Sequence, residues 1–395
     1  MQYKRTIEKQ IKKYLSKKDY KILFIWGPRR SGKTTLLNKI SKQANAQSAS
    51  GGQTKNPIFN FDLQSDQDKF TPDYQTLEKI ALNHSIILID EVQNHPESTL
   101  PLKILHDQFK VKIIATGSSE LKQKTKKFDS LSGRFKELFC LPLSLGEIKQ
   151  NTKIKTYHEK EFYQQIQEKI QIFGNYPEIW KAKKEDEKIN LLQNIFDTYI
   201  LKDIINIYKL KNTKLAKDIL TKIALQLGSE VSLREIANSL QANVSTVTSY
   251  IEIFIKNYVL FPLPSFKTNL RRAVSENRKF YFYDLGIRNI LVKDFRSLDL
   301  RPDKGGVFEN FIISEIFKNK KNNNYKLNLY FYREYGGKEI DLVLENYKKN
   351  YICVEIKSKK DKSQKIFPIP HQIKIINSQN YFKIIPQLPA SFLAS

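Results

Sequence analysis

The sequence FIWGPRRSGKTTLL, residues 24 to 37, is the feature that most constrains what this chain can fold into. It fits the pattern G-x-x-x-x-G-K-[ST], with an apolar strand before it and a helix after it, which is the context that a phosphate-binding loop requires. In such a loop the backbone N–H groups face the phosphates, Lys33 reaches the β- and γ-phosphates, and the Thr34 hydroxyl ligates Mg2+. The alternative is a glycine-rich turn that holds no ligand. The residues predicted to contact a nucleotide here are Gly27, Arg30, Ser31, Gly32, Lys33, Thr34 and Thr35.

A second apolar strand, SIILIDEVQN, ends in two carboxylates about sixty residues after the loop. Asp90 is predicted to hold the metal ion, and Glu91 to activate the attacking water, because a carboxylate beside the γ-phosphate can accept its proton. By itself, an apolar strand ending in Asp-Glu only marks where a buried strand reaches solvent. Together with the loop, it predicts a site that binds and hydrolyses ATP, with Mg2+ as the metal cofactor.

A third apolar strand, KVKIIATGSSE, ends in Thr116 and Ser118. In a parallel sheet that end lies on the ligand side, so Ser118 is assigned to the nucleotide, and both hydroxyls are expected either to sense the γ-phosphate or to cap the next helix. Arg134, in LSGRFKEL, is predicted to neutralise γ-phosphate charge in its own or a neighbouring subunit, as an arginine finger does. The alternative for Arg134 is a surface salt bridge.

These stretches also carry a resemblance to a known family. GPRRSGKTT, ILIDEVQN, IIATGSS and SGRFKELFCLPLSLGEI together resemble the N-terminal half of a widespread group of prokaryotic AAA+-like ATPases joined to a C-terminal domain of unknown function, domain of unknown function 4143. The similarity continues through FGNYPEIW and DTYILKDI to the C-terminal strands, so it covers nearly the whole chain. It implies a P-loop ATPase and says much less about a biological role.

Composition limits the compartment and the number of domains. A chain of 395 residues with 40% hydrophobic content is long enough for two or three cores, so several domains are expected. Its two cysteines, Cys140 and Cys353, lie far apart and have no metal-ligand spacing, which fits a reducing cytosol. Apolar runs of about five residues and an N-terminus without a signal-peptide core predict a cytoplasmic protein with no membrane partner.

The formal net charge of +26 predicts a polyanionic partner, most simply DNA, because a basic surface gains affinity for nucleic acid by releasing counterions. Heavy use of Lys, Asn and Ile, whose codons are rich in A and T, is the alternative source of the charge. Two clusters are the better indication, residues 267–279 and 357–365. A run of charge is usually a solvated face.

The pattern of apolar residues predicts an α/β fold in several parts. Alternating strands and helices predict a P-loop parallel-sheet ATPase domain over residues 1–147, and three- and four-residue spacing predicts a helical segment over 148–228. Helix, turn, helix and strands predict a winged helix over 229–299, and in a DNA reader its second helix enters the major groove. The exposed face of that helix is polar but uncharged, so a role in protein packing is the alternative. Its predicted contacts are Ser245, Thr246, Thr248 and Ser249.

Residues 300–395 contain a second chemical constellation. Glu309 lies on an amphipathic helix, and two strands carry Asp341 and the pair Glu355 and Lys357. Strand residues two apart point the same way, so Glu355 and Lys357 share a face, where Asp341 and Glu355 are predicted to hold Mg2+ while Lys357 activates water. This order resembles the PD-(D/E)xK nuclease fold, a restriction-endonuclease-like α/β domain. The alternatives are a charged sheet edge or a fold whose catalysis has decayed.

The function predicted from these features is an ATP-binding and ATP-hydrolysing P-loop protein whose nucleotide state controls a nucleic-acid-binding, nuclease-like C-terminal domain. One alternative is a non-cleaving ATP switch that binds DNA as a regulator. The other is an ATPase switch whose C-terminal domain packs against a protein partner. A homo-oligomer is compatible with each of them.

Overall fold

The chain is α/β and forms two compact units, Met1–Leu141 and Pro142–Ser395. The first contains a parallel sheet and the second a separate mixed sheet. The computed structural model describes residues 3–48, 56–118, 128–152, 158–204, 212–267, 278–334, 336–357 and 366–394.

The sheet of the first unit consists of β1 (Ile22–Trp26), β2 (Ile58–Asn60), β3 (Ile86–Asp90), β4 (Lys112–Gly117) and β5 (Phe135–Phe139). Its order is β2-β3-β4-β1-β5, and every pair of neighbours is parallel. All five residues of β1 are buried, as expected for a strand covered on both faces. Because the strands are parallel, their carboxyl ends meet at one edge of the sheet, where ligands bind in folds of this type.

Helices surround this sheet and begin where the sequence provides a start signal. The helix after β1 begins at Lys33, directly after the glycine of the loop. The Asp73 carboxylate accepts a hydrogen bond from the backbone N of Thr76 (2.8 Å) and caps the next long helix. The helices of the first unit are α1 (Glu8–Ser16), α2 (Lys33–Ser48), α3 (Gln64–Gln67), α4 (Tyr74–Asn83) and α5 (Thr99–Ile104).

The first half of the second unit is mostly helical and shares one hydrophobic core. That core extends from Ile172 to Leu291, so the predicted helical segment and the predicted winged helix bury their apolar faces together. Its helices are α6 (Leu145–Gln150), α7 (Glu159–Phe173), α8 (Pro177–Lys181), α9 (Glu185–Asn194), α10 (Thr213–Leu225), α11 (Leu233–Ser239), α12 (Val244–Lys256) and α13 (Leu285–Val292).

A small antiparallel sheet joins this core. Its strands are β6 (Glu230–Val231), β7 (Leu260–Leu263) and β8 (Arg278–Phe282), in the order β6-β8-β7. The basic cluster predicted at 267–279 falls largely between β7 and β8, and Arg271 and Arg272 lie outside the described residues. Most of the second cluster, at 357–365, also lies outside them.

The second half of this unit is a mixed sheet covered by two helices. Its order is β12-β11-β10-β9, in which β9, β10 and β11 are antiparallel neighbours and β11 and β12 are parallel. Its elements are α14 (Lys304–Asn323), β9 (Leu327–Arg333), β10 (Glu339–Asn346), β11 (Tyr351–Ile356), β12 (Gln372–Ile376) and α15 (Tyr381–Ala394).

None of the helices within the described ranges has both the length and the apolar character needed to cross a bilayer. The domain boundaries predicted at 147, 228 and 299 stay predictions.

Candidate functional site

The loop between β1 and α2 has the backbone of a phosphate-binding loop. Arg30 has φ +61° and Gly32 has φ +98°, so the chain passes twice through the left-handed region before α2. Gly27 lies against the neighbouring strand, where an added Cβ would be 2.0 Å from the carbonyl oxygen of Cys140. Only glycine fits this close approach, which explains the first glycine of the motif.

Lys33 is enclosed by the loop. Its side chain is buried, and Nζ donates to the carbonyl oxygens of Gly27 and Pro28, both at 2.9 Å. Burial lowers the pKa of the ammonium, and the charges of Glu91 and Asp90 oppose that effect. The structure therefore brings Lys33 close to both predicted carboxylates.

Two hydroxyls of the loop suit a bound nucleotide. Ser31 Oγ is buried, and among the described residues it has no hydrogen-bond partner. A phosphate oxygen could form a hydrogen bond with this hydroxyl, so the residues of the loop fit ATP. Thr34 lies at the start of α2 and is exposed, so its hydroxyl is accessible to a metal ion.

Asp90 ends β3 and Glu91 follows it, and β3 is two strands away from β1 and its loop. Because β4 separates β1 from β3, the two strand ends are about 10 Å apart, which leaves room for phosphates between them. Asp90 Oδ1 accepts hydrogen bonds from the Thr116 hydroxyl and from the backbone N of Glu91 (3.1 Å). Thr116 thus orients the predicted metal ligand.

Gln93 was missed by sequence reasoning and links the remaining predicted groups. Its Nε2 donates to Glu91 Oε2 and to Ser118 Oγ (3.1 Å), while its Oε1 accepts from the backbone N of Ser118 (3.2 Å). Glu91 itself has φ +54°, in the left-handed region. The only signal in the sequence was position, two residues after Glu91 in DEVQN.

Arg134 lies beside the amino end of β1, at the end of the sheet away from the loop. The backbone N of Ile22, the first residue of β1, donates to the carbonyl oxygen of Arg134 (2.8 Å). The loop leaves the other end of β1, about 13 Å further on. The guanidinium Nε donates to both carboxylate oxygens of Asp107, at 2.8 and 3.1 Å. Arg134 therefore does not reach the loop of its own subunit, and a role in a neighbouring subunit stays a prediction.

Two of the carboxylates predicted to form a second site in the other unit, Glu309 and Asp341, lie near a lysine. Lys279 of β8 is buried, and its Nζ donates to Glu309 Oε1 (3.2 Å) and to Glu339. The Tyr281 hydroxyl donates to the same Glu309 oxygen (2.6 Å). We call this group, with Asp341, the Lys279 cluster.

Asp341 is a member of the Lys279 cluster whose pKa is strongly shifted. Burial and the charge of Glu309 raise its pKa to about 7, opposed by the hydrogen bond from the backbone N of Ile356 (2.6 Å) and by Lys279. The pairing of Leu342 with Val354 makes Asp341 and Glu355 neighbours on adjacent strands.

Among the described residues, no third metal-ligating side chain joins Asp341 and Glu355 to complete a three-ligand Mg2+ site. Glu355 is buried with the Lys357 ammonium 3.4 Å from its Oε2, and Lys279 already supplies the positive charge between Glu309 and Glu339. Within the described part of the chain, no three His, Cys, Asp or Glu side chains are placed to hold one ion. The sequence showed Lys279 only as the end of a basic run.

The exposed face of α12 is less available than its sequence indicates. The Thr248 hydroxyl donates to the carbonyl oxygen of Val244 (2.8 Å), and the Ser249 hydroxyl to that of Ser245 (2.9 Å). Both hydroxyls therefore bond within their own helix.

Three family models match parts of the chain. An AAA domain model matches residues 19–149, and two models described as domains of unknown function, DUF8612 and DUF4143, match residues 164–299 and 304–379.

Similar proteins in other organisms are uncharacterized. One from Methanocaldococcus jannaschii is 26% identical over 382 residues, which cover 91% of this chain and 80% of the relative. One from Haemophilus influenzae is 24% identical over 333 residues, which cover 82% of this chain and 79% of the relative.

Among solved structures, AMPPCP-bound DnaA from Aquifex aeolicus aligns with a TM-score of 0.31 and 18% identity, covering 62% of this chain and 85% of that chain. Domain III of the replication initiation protein DnaA from Thermotoga maritima aligns with a TM-score of 0.28 and 18% identity, covering 63% and 91%. The family models and the geometry of the loop agree on the central point: this chain joins an AAA-type P-loop ATPase domain to a C-terminal domain of the DUF4143 type.

Proposed function

We propose that this protein binds ATP with Mg2+ between the loop after β1 and the end of β3, and hydrolyses it. The observation that carries the proposal is the enclosed Lys33 ammonium beside the unsatisfied Ser31 hydroxyl, in a loop with two left-handed residues. Thr34 and Asp90 would hold Mg2+, which supplies positive charge for the phosphates. Glu91, oriented by Gln93, would accept the proton of the attacking water.

Replacement of Lys33 by Ala tests this proposal. We expect ATP hydrolysis to fall roughly 100-fold or more, because the ammonium that stabilises charge on the transferred phosphoryl group is removed. Phosphate release would be measured beside Lys42→Ala, which removes an exposed lysine from the same helix. Equal turnover in the Lys33 variant and the parent would refute the proposal.

For the second unit, the proposal favours the non-cleaving regulator over the nuclease. The specific observation is Lys279, whose ammonium pairs with Glu309, the predicted helical acid, and with Glu339. Plasmid incubated with protein, Mg2+ and ATP separates the two functions. Nicking that Asp341→Ala abolishes would restore the nuclease interpretation.

The proposal also assigns residues 229–299 to a winged helix that contacts nucleic acid. The order α10, β6, α11, α12, β7, β8 supports this assignment. Since Thr248 and Ser249 bond to their own helix, we expect contacts to the phosphate backbone rather than reading of bases by these hydroxyls.

A further inference from the structure

A cavity of about 240 Å³ lies among α7, α8 and α9, at the stretch FGNYPEIW and away from the phosphate loop in sequence. Its walls combine the rings of Phe173 and Trp180 with the ammonium groups of three lysines, Lys169, Lys183 and Lys188. We call it the α7–α9 pocket. No acidic side chain is part of its lining.

The apolar wall of the pocket is held in place by its own turn. Gly174 follows α7 with φ +75°, and a Cβ there would lie 1.9 Å from Asp284 Oδ1, so only glycine fits. The Asp284 carboxylate accepts a hydrogen bond from the backbone N of Asn175 (2.6 Å), and Trp180 Nε1 donates to the carbonyl oxygen of Gly174 (3.2 Å). The indole is thereby oriented before any ligand arrives.

A carboxylate near the pocket contacts the backbone and not an ammonium, because Glu187 Oε2 accepts from the backbone N of Lys183 (3.3 Å). Lys188 Nζ lies 4.7 Å from the centre of the Phe173 ring, and Lys169 and Lys183 are exposed. Across the described residues, none of these three ammonium groups pairs with a carboxylate. Aromatic rings beside unpaired lysines suit a ligand that has both a flat ring and a negative group.

We propose that the α7–α9 pocket binds a nucleotide, with its base against Trp180 and its phosphate near the lysines. Stacking on an aromatic side chain and attraction of the backbone by lysines are the two terms by which single-stranded nucleic acid is bound without sequence preference. The nucleotide can come from a single strand or as a free mononucleotide. The inference deepens the nucleic-acid part of the proposed function and is independent of the ATP part.

The test measures binding of a fluorescent oligothymidylate to full-length protein carrying Lys33→Ala, so that the P-loop does not contribute. Affinity is plotted as its logarithm against the logarithm of salt concentration. Replacing Lys169, Lys183 and Lys188 by Ala should reduce the magnitude of the slope by about 2, since each phosphate contact on a single strand contributes roughly 0.7. The matched control replaces three exposed lysines of the same segment that do not line the pocket, Lys160, Lys181 and Lys184.

A second variant tests stacking separately from charge. Trp180→Leu should weaken binding roughly 5- to 140-fold, the equivalent of one stacked base, whereas Trp180→Phe should retain most of the affinity. Thymidine monophosphate, titrated as a competitor, identifies the source: displacement supports a free nucleotide, and binding of the oligomer alone supports a strand.

Three outcomes would overturn the inference. The first two are equal salt dependence in the pocket and control variants, and unchanged oligomer affinity in Trp180→Leu. The third is displacement of the oligomer by a poly-glutamate peptide as readily as by a nucleotide, which would mean that charge alone determines binding. ATP hydrolysis by the pocket variants with Lys33 intact is measured in parallel. Normal turnover in those variants together with oligomer binding that the pocket substitutions leave unchanged rejects the pocket and leaves the proposed ATPase standing.

Discussion

At the scale of single residues, the proposed hydrolysis would depend on Glu91. Its left-handed backbone turns it away from the strand direction, and Gln93 then bonds both its carboxylate and the Ser118 hydroxyl. Asp90 is held separately, by the Thr116 hydroxyl. The two adjacent carboxylates therefore have different partners, which allows them different roles.

The variant Glu91→Gln should still bind ATP, but its rate of hydrolysis should fall roughly 100- to 10,000-fold, since only the general base is neutralised. Asp90→Asn should differ by weakening Mg2+-dependent nucleotide binding. Equilibrium binding of a fluorescent ATP analogue and single-turnover hydrolysis measure the two effects. Loss of nucleotide binding in Glu91→Gln would mean that Glu91 has been given the wrong role.

At the scale of elements, Lys279 joins β8 to α14 and β10 through Glu309 and Glu339. Arg333 extends this connection, because its guanidinium lies 2.6 Å from Glu339 Oε2 and 3.0 Å from Glu230 Oε1. Ion pairs between these strands and helices connect the small sheet with the mixed sheet. The geometry thus assigns the Lys279 cluster a structural role.

Replacement of Lys279 by Met should lower the free energy of unfolding by about 3 kcal/mol, because it leaves the partly buried Glu309 carboxylate without its counter-charge while Glu339 keeps Arg333. Urea denaturation measures this, with the exposed neighbour Arg278→Met as the control. The same variant enters the plasmid assay, where we expect no nicking. A stable Lys279→Met protein that cleaves DNA with Mg2+ would show that the lysine blocks a working metal site.

At the scale of the whole molecule, the segment that joins the two units is held on both sides. Within the first unit, Arg5 donates to the carbonyl oxygens of Ser31, in the phosphate loop, and of Leu141. Within the second unit, Asn175 Nδ2 donates to the carbonyl oxygen of Leu143 (2.7 Å), and the backbone N of Leu145 donates to Glu315 of α14 (2.6 Å). Leu141 shares the Arg5 side chain with the loop, and Leu143 is bonded within the second unit. Only Pro142 lies between them in the chain.

This short connection favours coupling between ATP binding and nucleic-acid binding. We expect duplex DNA to change nucleotide affinity roughly 5- to 150-fold, and ATP to change DNA affinity by the same factor, because coupling between two bindings is reciprocal. Both affinities would be measured in Glu91→Gln, which suppresses turnover. Affinities that do not change in either direction would remove control by nucleotide state from the proposed function.

Much of the first unit could be predicted from the chain itself, because its signals are local. The loop, the acidic strand end and the hydroxyl strand end each lie within about ten residues, and parallel pairing brings strand ends to one edge. Gln93 and Arg5 act through contacts that no local pattern encodes, and Arg134 is separated from the loop by the length of β1.

The C-terminal carboxylates show what only the tertiary structure decided. Their order along the chain correctly brought Asp341 and Glu355 to adjacent strands, because the strand period is local. Lys279, some thirty residues before Glu309, entered the same cluster through packing of β8 against α14, and it places an ammonium against Glu309. The sequence by itself determined which groups are acidic and which strands carry them. The fold decided which positive group lies beside each carboxylate, because a carboxylate removed from water is stable only when a charged or hydrogen-bonding group nearby compensates it.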